Sequence, residues 1–179
     1  MMTMADKERN RRQEDQGLSA WLTMLQANSL LVDLLEADLQ AAAGLPLGWF
    51  EVLVQLTSAP EGKLKMRELA QSLILSKSGV TRLVDRMEAG GLVTRGPCAT
   101  DRRIVYAVIT SEGRAAIREA MPRHIESLSK RFTEHLTPAE LTMLRTTLQK
   151  VLVAHGYGVP ACPTTAQLSA DEPRETPVG

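Results

Sequence analysis

Residues 75–93 read LSKSGVTRLVDRMEAGGLV. This stretch predicts a helix over Lys77–Ala89 that begins after Ser76 and ends at Gly90-Gly91, because serine caps free N–H groups and glycine leaves the helical conformation easily. One face of the helix is aliphatic at the spacing i, i+3, i+4 and i+7, with Val80, Leu83, Val84 and Met87. The opposite face carries hydroxyls and cations. We therefore expect a helix that packs on a core along one side and meets a polar partner along the other.

Shorter elements flank this helix on both sides. Before it, Arg67–Leu73 predicts a short helix, and Ile74–Ser76 predicts the turn between the two. After it, Leu92–Arg95 and Ile104–Ile109 predict two strands, the second rich in β-branched residues. The loop between the strands contains glycine, proline and two consecutive arginines, so it predicts a β-hairpin with a basic tip. Helix, turn, helix and hairpin follow one another as in a winged helix-turn-helix.

Longer helices are expected outside this unit, at Leu18–Gln40, Leu47–Leu56, Thr110–Glu134 and Pro138–His155. The aliphatic stripes on the first and the last of them are wider than a small monomer needs, which predicts that a second chain covers them. The expected fold class is mainly α with a small β-hairpin wing (α+β), in which N- and C-terminal dimerisation helices flank a winged helix-turn-helix domain.

The charge of the chain is unevenly distributed. The net charge is zero, but Glu61–Arg103 contains nine basic and five acidic residues, whereas Gly17–Pro60 contains four acidic residues and no Lys or Arg. A neutral protein with its positive charge gathered in one segment still presents an electropositive face. This pattern favours a nucleic-acid partner for the central segment.

The residues expected to contact DNA lie on the central helix and on the wing. Arginine can pair bidentately with guanine or clamp a phosphate, hydroxyls reach phosphates or base edges, and long cations on a narrow hairpin suit a minor groove. Asp85 and Glu88 are expected to restrain neighbouring arginines. The predicted contacts are Ser76, Lys77, Ser78, Thr81, Arg82, Arg86, Asp101, Arg102 and Arg103.

Length and composition predict one folded domain with disordered segments at both ends. The chain has 179 residues, of which 44% are hydrophobic and only six aromatic, so its core is expected to be aliphatic. Residues 1–16 alternate charges and predict a disordered arm, and residues 156–179 predict a disordered Pro-rich tail. The domain is expected at 17–155, with dimerisation helices at about 18–40 and 111–155 and a DNA-binding part at about 46–110.

The sequence predicts a cytoplasmic protein. The N-terminal residues lack the apolar region of a secretory signal, and no membrane span is expected. Cys98 and Cys162 do not form a C-x-x-C pair, so both are expected to be reduced thiols.

Four segments of the chain form a combined motif: RELA at 67–70, the stretch 75–93, DRR at 101–103 and ITSEGR at 109–114. Together they resemble the MarR family of bacterial transcriptional regulators, over roughly Leu18–His155. The resemblance implies a triangular homodimer whose two winged domains bind a palindromic operator, and a repressor that a ligand releases in most members. Ile74 stands where many members have glycine. The first helix has no cysteine, so the family's peroxide-sensing mechanism is not implied.

The resemblance also implies a site for a small organic effector between the dimerisation helices and the winged domain, where Trp21, Trp49 and His124 are the candidate residues. No cofactor and no metal are expected, since the three histidines lie 11 and 20 residues apart rather than at the i, i+4 spacing of a helical zinc site.

Other functional classes remain open. Cys98 lies near Arg95 and Arg102, whose charges favour a thiolate, so a redox-responsive regulator is one alternative. A helical interaction adaptor is another, although it would not need a basic wing. An enzyme is not expected, because no dinucleotide-binding, P-loop or G-x-S-x-G motif is present.

Overall fold

The computed structural model describes residues 4–73, 76–97 and 104–158. These ranges contain helices α1 Met4–Ala43, α2 Leu47–Ser58, α3 Met66–Ser72, α4 Lys77–Ala89, α5 Ser111–Arg131 and α6 Pro138–Ala154, and strands β1 Lys63–Lys65, β2 Val93–Pro97 and β3 Val105–Ile109. The expected fold class, mainly α with a small hairpin wing, is confirmed.

The wing hairpin belongs to a three-stranded antiparallel sheet of order β1-β3-β2. Strands β2 and β3 pair from Val93 opposite Ile109 to Pro97 opposite Val105, as the hairpin prediction requires. On the other edge of β3, strand β1 pairs with residues 106–108. The partner of β1 could not be predicted from the sequence, because three residues carry too little pattern to identify the strand they pair with.

The core lies where α2, α3 and α4 meet the sheet. Burial of an aliphatic side chain contributes about 1.5–3 kcal/mol, so this contact fixes α4 against its neighbours. Helices α1 and α5 close the core with Leu39, Ile117 and Ala120. The side chains at its centre are Val52, Leu53, Leu56, Leu69, Val84 and Met87, each of them fully buried.

Helix α1 is longer than expected. The prediction of a disordered arm over residues 1–16 was wrong for residues 4–16, which form the first turns of this helix. These residues lack the periodic apolar side chains on which the helix prediction relied. They do contain good helix formers, no proline, and a hydrogen bond from the Asn10 side chain to Glu14 one turn later, at 2.8 Å. Local propensity therefore sustains the helix without a packed face.

Helix α1 also carries a long apolar surface. Residues 17–32 contain no charged side chain, and Lys7–Ala43 is long and apolar enough to cross a membrane by length and composition. None of that apolar window is buried against the rest of the chain. Length and composition give the same result for a membrane helix and for a helix that another protein chain covers.

Candidate nucleic-acid interface

Helix α4 is fixed at both ends by the residues that predicted it. The Ser76 side chain accepts a hydrogen bond from the Gly79 N–H at 3.0 Å and lies 3.1 Å from the Ser78 hydroxyl. At the other end, the Gly91 backbone has φ 74°, a conformation that favours glycine. The aliphatic face of α4 is buried, with Val80, Leu83, Val84 and Met87 at 9% exposure or less.

The outward face of α4 presents the predicted cations to solvent. Arg82 and Arg86 are exposed, as are Ser78 and Thr81. Lys77 is the first residue of the helix, but its side chain lies outside the described part of the structure. Within the described residues, neither Arg82 nor Arg86 forms an ion pair. Their guanidinium groups are therefore available to a ligand along the open side of the helix.

The predicted wing contacts follow strand β2 in the chain. Asp101, Arg102 and Arg103 lie outside the described residues, as does Cys98. Strand pairing is described up to Pro97 and Val105, which precede and follow that segment.

From the sequence, Arg95 was expected only to influence Cys98 and not to contact α4. It lies on β2, and its guanidinium contacts Glu88 Oε2 through Nη1 at 2.7 Å and Asp85 Oδ1 through Nη2 at 2.7 Å. Nη2 also donates to the Thr81 carbonyl oxygen at 3.1 Å, and the Arg95 backbone N–H donates to Glu88 Oε1 at 2.9 Å. Asp85 and Glu88 thus bind the wing arginine, whereas the local spacing rule had pointed to arginines on α4 itself.

A groove runs between α3, the first half of α4 and the base of the wing. Its volume is about 850 Å³. Its walls mix aliphatic side chains with charged ones, among them Lys65, Arg67, Glu68, Val80, Arg95 and Val105. It lies on the same side of α4 as the Arg95 contacts.

The start of α5 is packed tightly against the end of α4. The Thr110 hydroxyl donates to the Gly91 carbonyl at 2.7 Å and accepts from the Gly113 N–H at 3.0 Å. A Cβ on Gly113 would lie 2.2 Å from the Leu92 carbonyl oxygen, so this position accommodates no side chain. The Thr110 and Gly113 pair therefore fixes α5 where β3 ends.

The three candidate effector residues lie in different surroundings. The Trp49 ring packs over Gly90, where an added Cβ would be 3.3 Å away. The centroids of the His124 and Phe50 rings lie 4.4 Å apart, and His124 Nδ1 is buried without a hydrogen-bond partner among the described residues. Burial lowers the pKa of His124. A neutral imidazole with an unused polar atom could bind a small molecule that completes its hydrogen bonding.

Trp21 is distant from His124 within one chain. His124 lies one turn before Ser127, whose hydroxyl donates to Asp38 at 2.5 Å. Trp21 precedes Asp38 by 17 residues on the same helix, which is about 25 Å along the helix axis. It is half-exposed on the apolar surface of α1. One chain therefore does not bring Trp21 and His124 into a single small-molecule site.

The chain is similar in sequence and in structure to known proteins. A family model described as "MarR family" matches residues 43–104, from the end of α1 to the start of β3. The chain is 32% identical over 89 residues to the HTH-type transcriptional repressor YetL of Bacillus subtilis strain 168, a match covering 50% of this chain and 53% of YetL. It therefore spans about half the length of that relative.

Two solved structures cover more of the chain. AbsC, a MarR family transcriptional regulator from Streptomyces coelicolor, is 35% identical with a TM-score of 0.74, and the match covers 79% of this chain and 95% of AbsC. Sco3205, a MarR family regulator of the same organism solved in complex with DNA, is 32% identical with a TM-score of 0.72, over 78% of this chain and 86% of Sco3205. The resemblance predicted from the motifs is confirmed, as is the expectation of a regulator rather than an enzyme. The chain belongs to the MarR family of transcriptional regulators.

Proposed function

We propose that this protein is a sequence-specific double-stranded DNA-binding regulator that acts as a homodimer on a palindromic operator, most simply as a repressor. The observation that carries this proposal is the divided surface of α4, which buries its aliphatic face and leaves Arg82 and Arg86 exposed and without ion pairs among the described residues. Such a helix can enter a major groove, where arginine pairs with guanine or clamps phosphates. The DNA complex of its relative Sco3205 supports the same assignment.

The exposed apolar surface supports the homodimer. Leu18, Trp21 and Leu22 on α1 are each half-exposed or more, and Met143 and Val151 on α6 are 70% and 55% exposed. Exposed apolar faces of this kind are usually covered by a partner, and most soluble oligomers are symmetric homodimers. Two copies of α4 would then reach successive major grooves when they lie about 34 Å apart.

A protein partner accounts for α1 better than a membrane does. The C-terminal part of the helix belongs to the folded domain, because Glu36 Oε2 accepts a hydrogen bond from the Leu47 N–H at 2.6 Å and Asp38 pairs with Arg131 of α5. The uncharged stretch 17–32 has 16 residues, or about 24 Å of helix, which is shorter than the hydrocarbon core of a bilayer at about 30 Å. The proposed location is accordingly the cytoplasm, where a DNA-binding regulator meets its operator.

The region of His124 supports a small organic effector. The contact between Phe50 and His124 joins α2 of the DNA-binding part to α5, a proposed dimerisation helix. A molecule bound beside these two residues would therefore contact both parts of the protein. A ligand shifts an equilibrium only by its preference for one state, and a tenfold loss of operator affinity needs about 1.4 kcal/mol of such preference. One buried aromatic ring is sufficient for this.

The test is DNA binding measured against salt. We expect the full chain to select duplexes with an inverted repeat from a random pool. The logarithm of the association constant for the selected duplex should fall linearly with the logarithm of the salt concentration, because each neutralised phosphate releases counterions. An adaptor or an enzyme would show no such dependence. Failure to bind any duplex at low salt would reject the proposed function.

A further inference from the structure

Arg95, on strand β2 of the wing, makes four contacts with helix α4. Three come from its guanidinium, to Glu88, Asp85 and the Thr81 carbonyl, and the fourth comes from its backbone N–H to Glu88. We propose that Arg95 is a positioning residue for DNA binding, which sets the hairpin against α4 so that both engage one duplex together. This inference rests on the proposed DNA-binding function and assigns to Arg95 no contact with DNA.

The arrangement of side chains around α4 supports this role. Successive helical residues are about 100° apart, so Thr81, Asp85 and Glu88 share one narrow stripe. Arg82 and Arg86 each follow a member of that stripe by one residue and face a different direction. The contacts of Arg95 therefore hold the helix without using its exposed cations.

The position of Arg95 in the sheet allows these contacts to fix the strand close to the tip of the wing. Arg95 pairs with Ala107 in the hairpin, only two pairs before the last described pair of Pro97 with Val105. The Ala107 side chain is fully buried, which fixes β3 in the core. Because side chain and backbone of Arg95 both bind Glu88, the strand is fixed in position and in rotation just before the segment that contains Arg103.

Charge gives the same contacts a second effect. Asp85 and Glu88 are carboxylates on the proposed DNA-binding helix, with side chains 55% and 37% exposed. Unpaired, they would repel the phosphates that Arg82 and Arg86 are expected to approach. The Arg95 guanidinium lies 2.7 Å from an oxygen of each and offsets that repulsion.

The experiment is a double-mutant cycle on DNA affinity. The parent chain, Arg95→Gln, Arg103→Ala and the double variant are titrated with a duplex selected by the parent from a random pool. If Arg95 positions the wing, the fold-loss caused by Arg103→Ala should be at least about threefold smaller in the Arg95→Gln background than in the parent, since residues that act through one another are not additive. Arg95→Lys keeps a cation that cannot bridge two carboxylates, and should fall between the parent and Arg95→Gln.

Arg131→Gln is the matched control, because Arg131 also binds a carboxylate through two nitrogens but joins α5 to α1. The fold-loss of affinity in the Arg131→Gln, Arg103→Ala double variant should equal the product of the two single fold-losses. If the fold-losses of Arg95→Gln and Arg103→Ala also multiply in this way, the proposal is overturned while DNA binding is left intact. Absence of salt-dependent binding by the parent would instead reject the proposed function.

A second readout needs no DNA. In a Cys162→Ser background Cys98 is the single thiol of the chain, since the sequence has two cysteines. A nitroxide attached to it reports the motion of the wing. Arg95→Gln should increase the mobility of the label and Arg131→Gln should not. The comparison is made on an Arg95→Gln protein that melts at the parent's temperature and is therefore folded. Equal spectra for this variant and the parent would overturn the proposal.

Discussion

Arg131 donates two hydrogen bonds to Asp38, from Nε to Oδ2 at 2.9 Å and from Nη2 to Oδ1 at 3.0 Å. This bidentate pair joins α5 to α1 near the point where α1 meets the core at Leu39. Ser127 adds a third hydrogen bond to the same carboxylate. The hydrogen bonds from Arg131 and Ser127 lower the pKa of Asp38 from 3.8 to about 2.

The pair predicts a specific acid dependence of stability. Because the folded-state pKa of Asp38 lies below its unfolded value, its contribution to stability is present above pH 3.8 and is lost as the pH falls through about 2. Asp38→Asn should therefore be less stable than the parent near neutral pH, and the difference should shrink across that acid window. Denaturant unfolding at a series of pH values measures it. Asp33→Asn, on the exposed side of α1, is the control. A difference that stays constant down to the lower pKa would contradict the assignment.

Arg82→Ala tests the proposed base contact. We expect a loss of about 1–3 kcal/mol in affinity for a selected duplex, with relaxed preference at one position of each half-site if Arg82 reads a guanine. Arg103→Ala should instead weaken selected and random duplexes alike, or alter the preference for narrow A·T-rich minor grooves. Arg118→Ala removes an exposed arginine from α5 and should leave both affinities unchanged. Parent-like binding by both the Arg82 and the Arg103 variant would remove the proposed DNA face.

Gly113 and Gly17 predict opposite responses to alanine. A Cβ on Gly113 meets the Leu92 carbonyl oxygen at 2.2 Å, so Gly113→Ala should destabilise the fold by about 1–3 kcal/mol through forced backbone shifts. Gly17 lies inside α1 with nothing within 4 Å of its added Cβ, so Gly17→Ala should stabilise the helix by up to about 1 kcal/mol. Thermal unfolding at one fixed protein concentration compares the two. A Gly113→Ala protein as stable as the parent would refute the tight packing around Gly113.

The homodimer can be tested at the apolar surface of α1. Leu22 is half-exposed there, and Leu22→Glu should place a charge in the proposed interface at a cost that dissociates the dimer. Sedimentation velocity at micromolar concentration should show a dimer for the parent and a monomer or an unfolded chain for the variant. Ser58→Glu, at an exposed position of α2 outside the proposed dimerisation helices, should remain dimeric. A stable monomeric parent would reject the dimer.

Features that depend on a few neighbouring residues could be predicted from the sequence. Ser76 was expected to cap α4, and its side chain accepts a hydrogen bond from the N–H three residues later, as those of Thr110 and Thr137 do at the starts of α5 and α6. Such a cap is readable because serine and threonine compete with the backbone for just these bonds. The prediction of a buried aliphatic face on α4 was correct because it too depends only on the spacing of neighbouring residues.

Features that join distant parts of the chain could not be predicted in this way. The partner of Asp85 and Glu88 was expected one turn away on α4, but Arg95 binds both across a chain reversal at Gly90-Gly91. The separation of Trp21 from His124 depends on how α1 and α5 pack, which periodicity does not specify. The pairing of β1 with β3 is non-local too.

His124 provides the test of the effector site. Within the part of the chain that the structure describes, its Nδ1 is buried without a hydrogen-bond partner, and Phe50 lies against its ring. We expect a panel of small aromatic compounds, neutral and anionic, to contain members that release the parent from a selected duplex. In a Trp21→Phe background Trp49 is the remaining tryptophan, and it immediately precedes Phe50, so a bound aromatic ring should quench its fluorescence.

His124→Ala should abolish both release and quenching while the variant still folds and binds DNA, because the ligand loses the polar group that fixes its orientation. His135→Ala is the matched control, since His135 is exposed in the 3-10 turn after α5. It should respond like the parent. An unchanged ligand response in His124→Ala would place the effector elsewhere, whereas the DNA-binding function would stand.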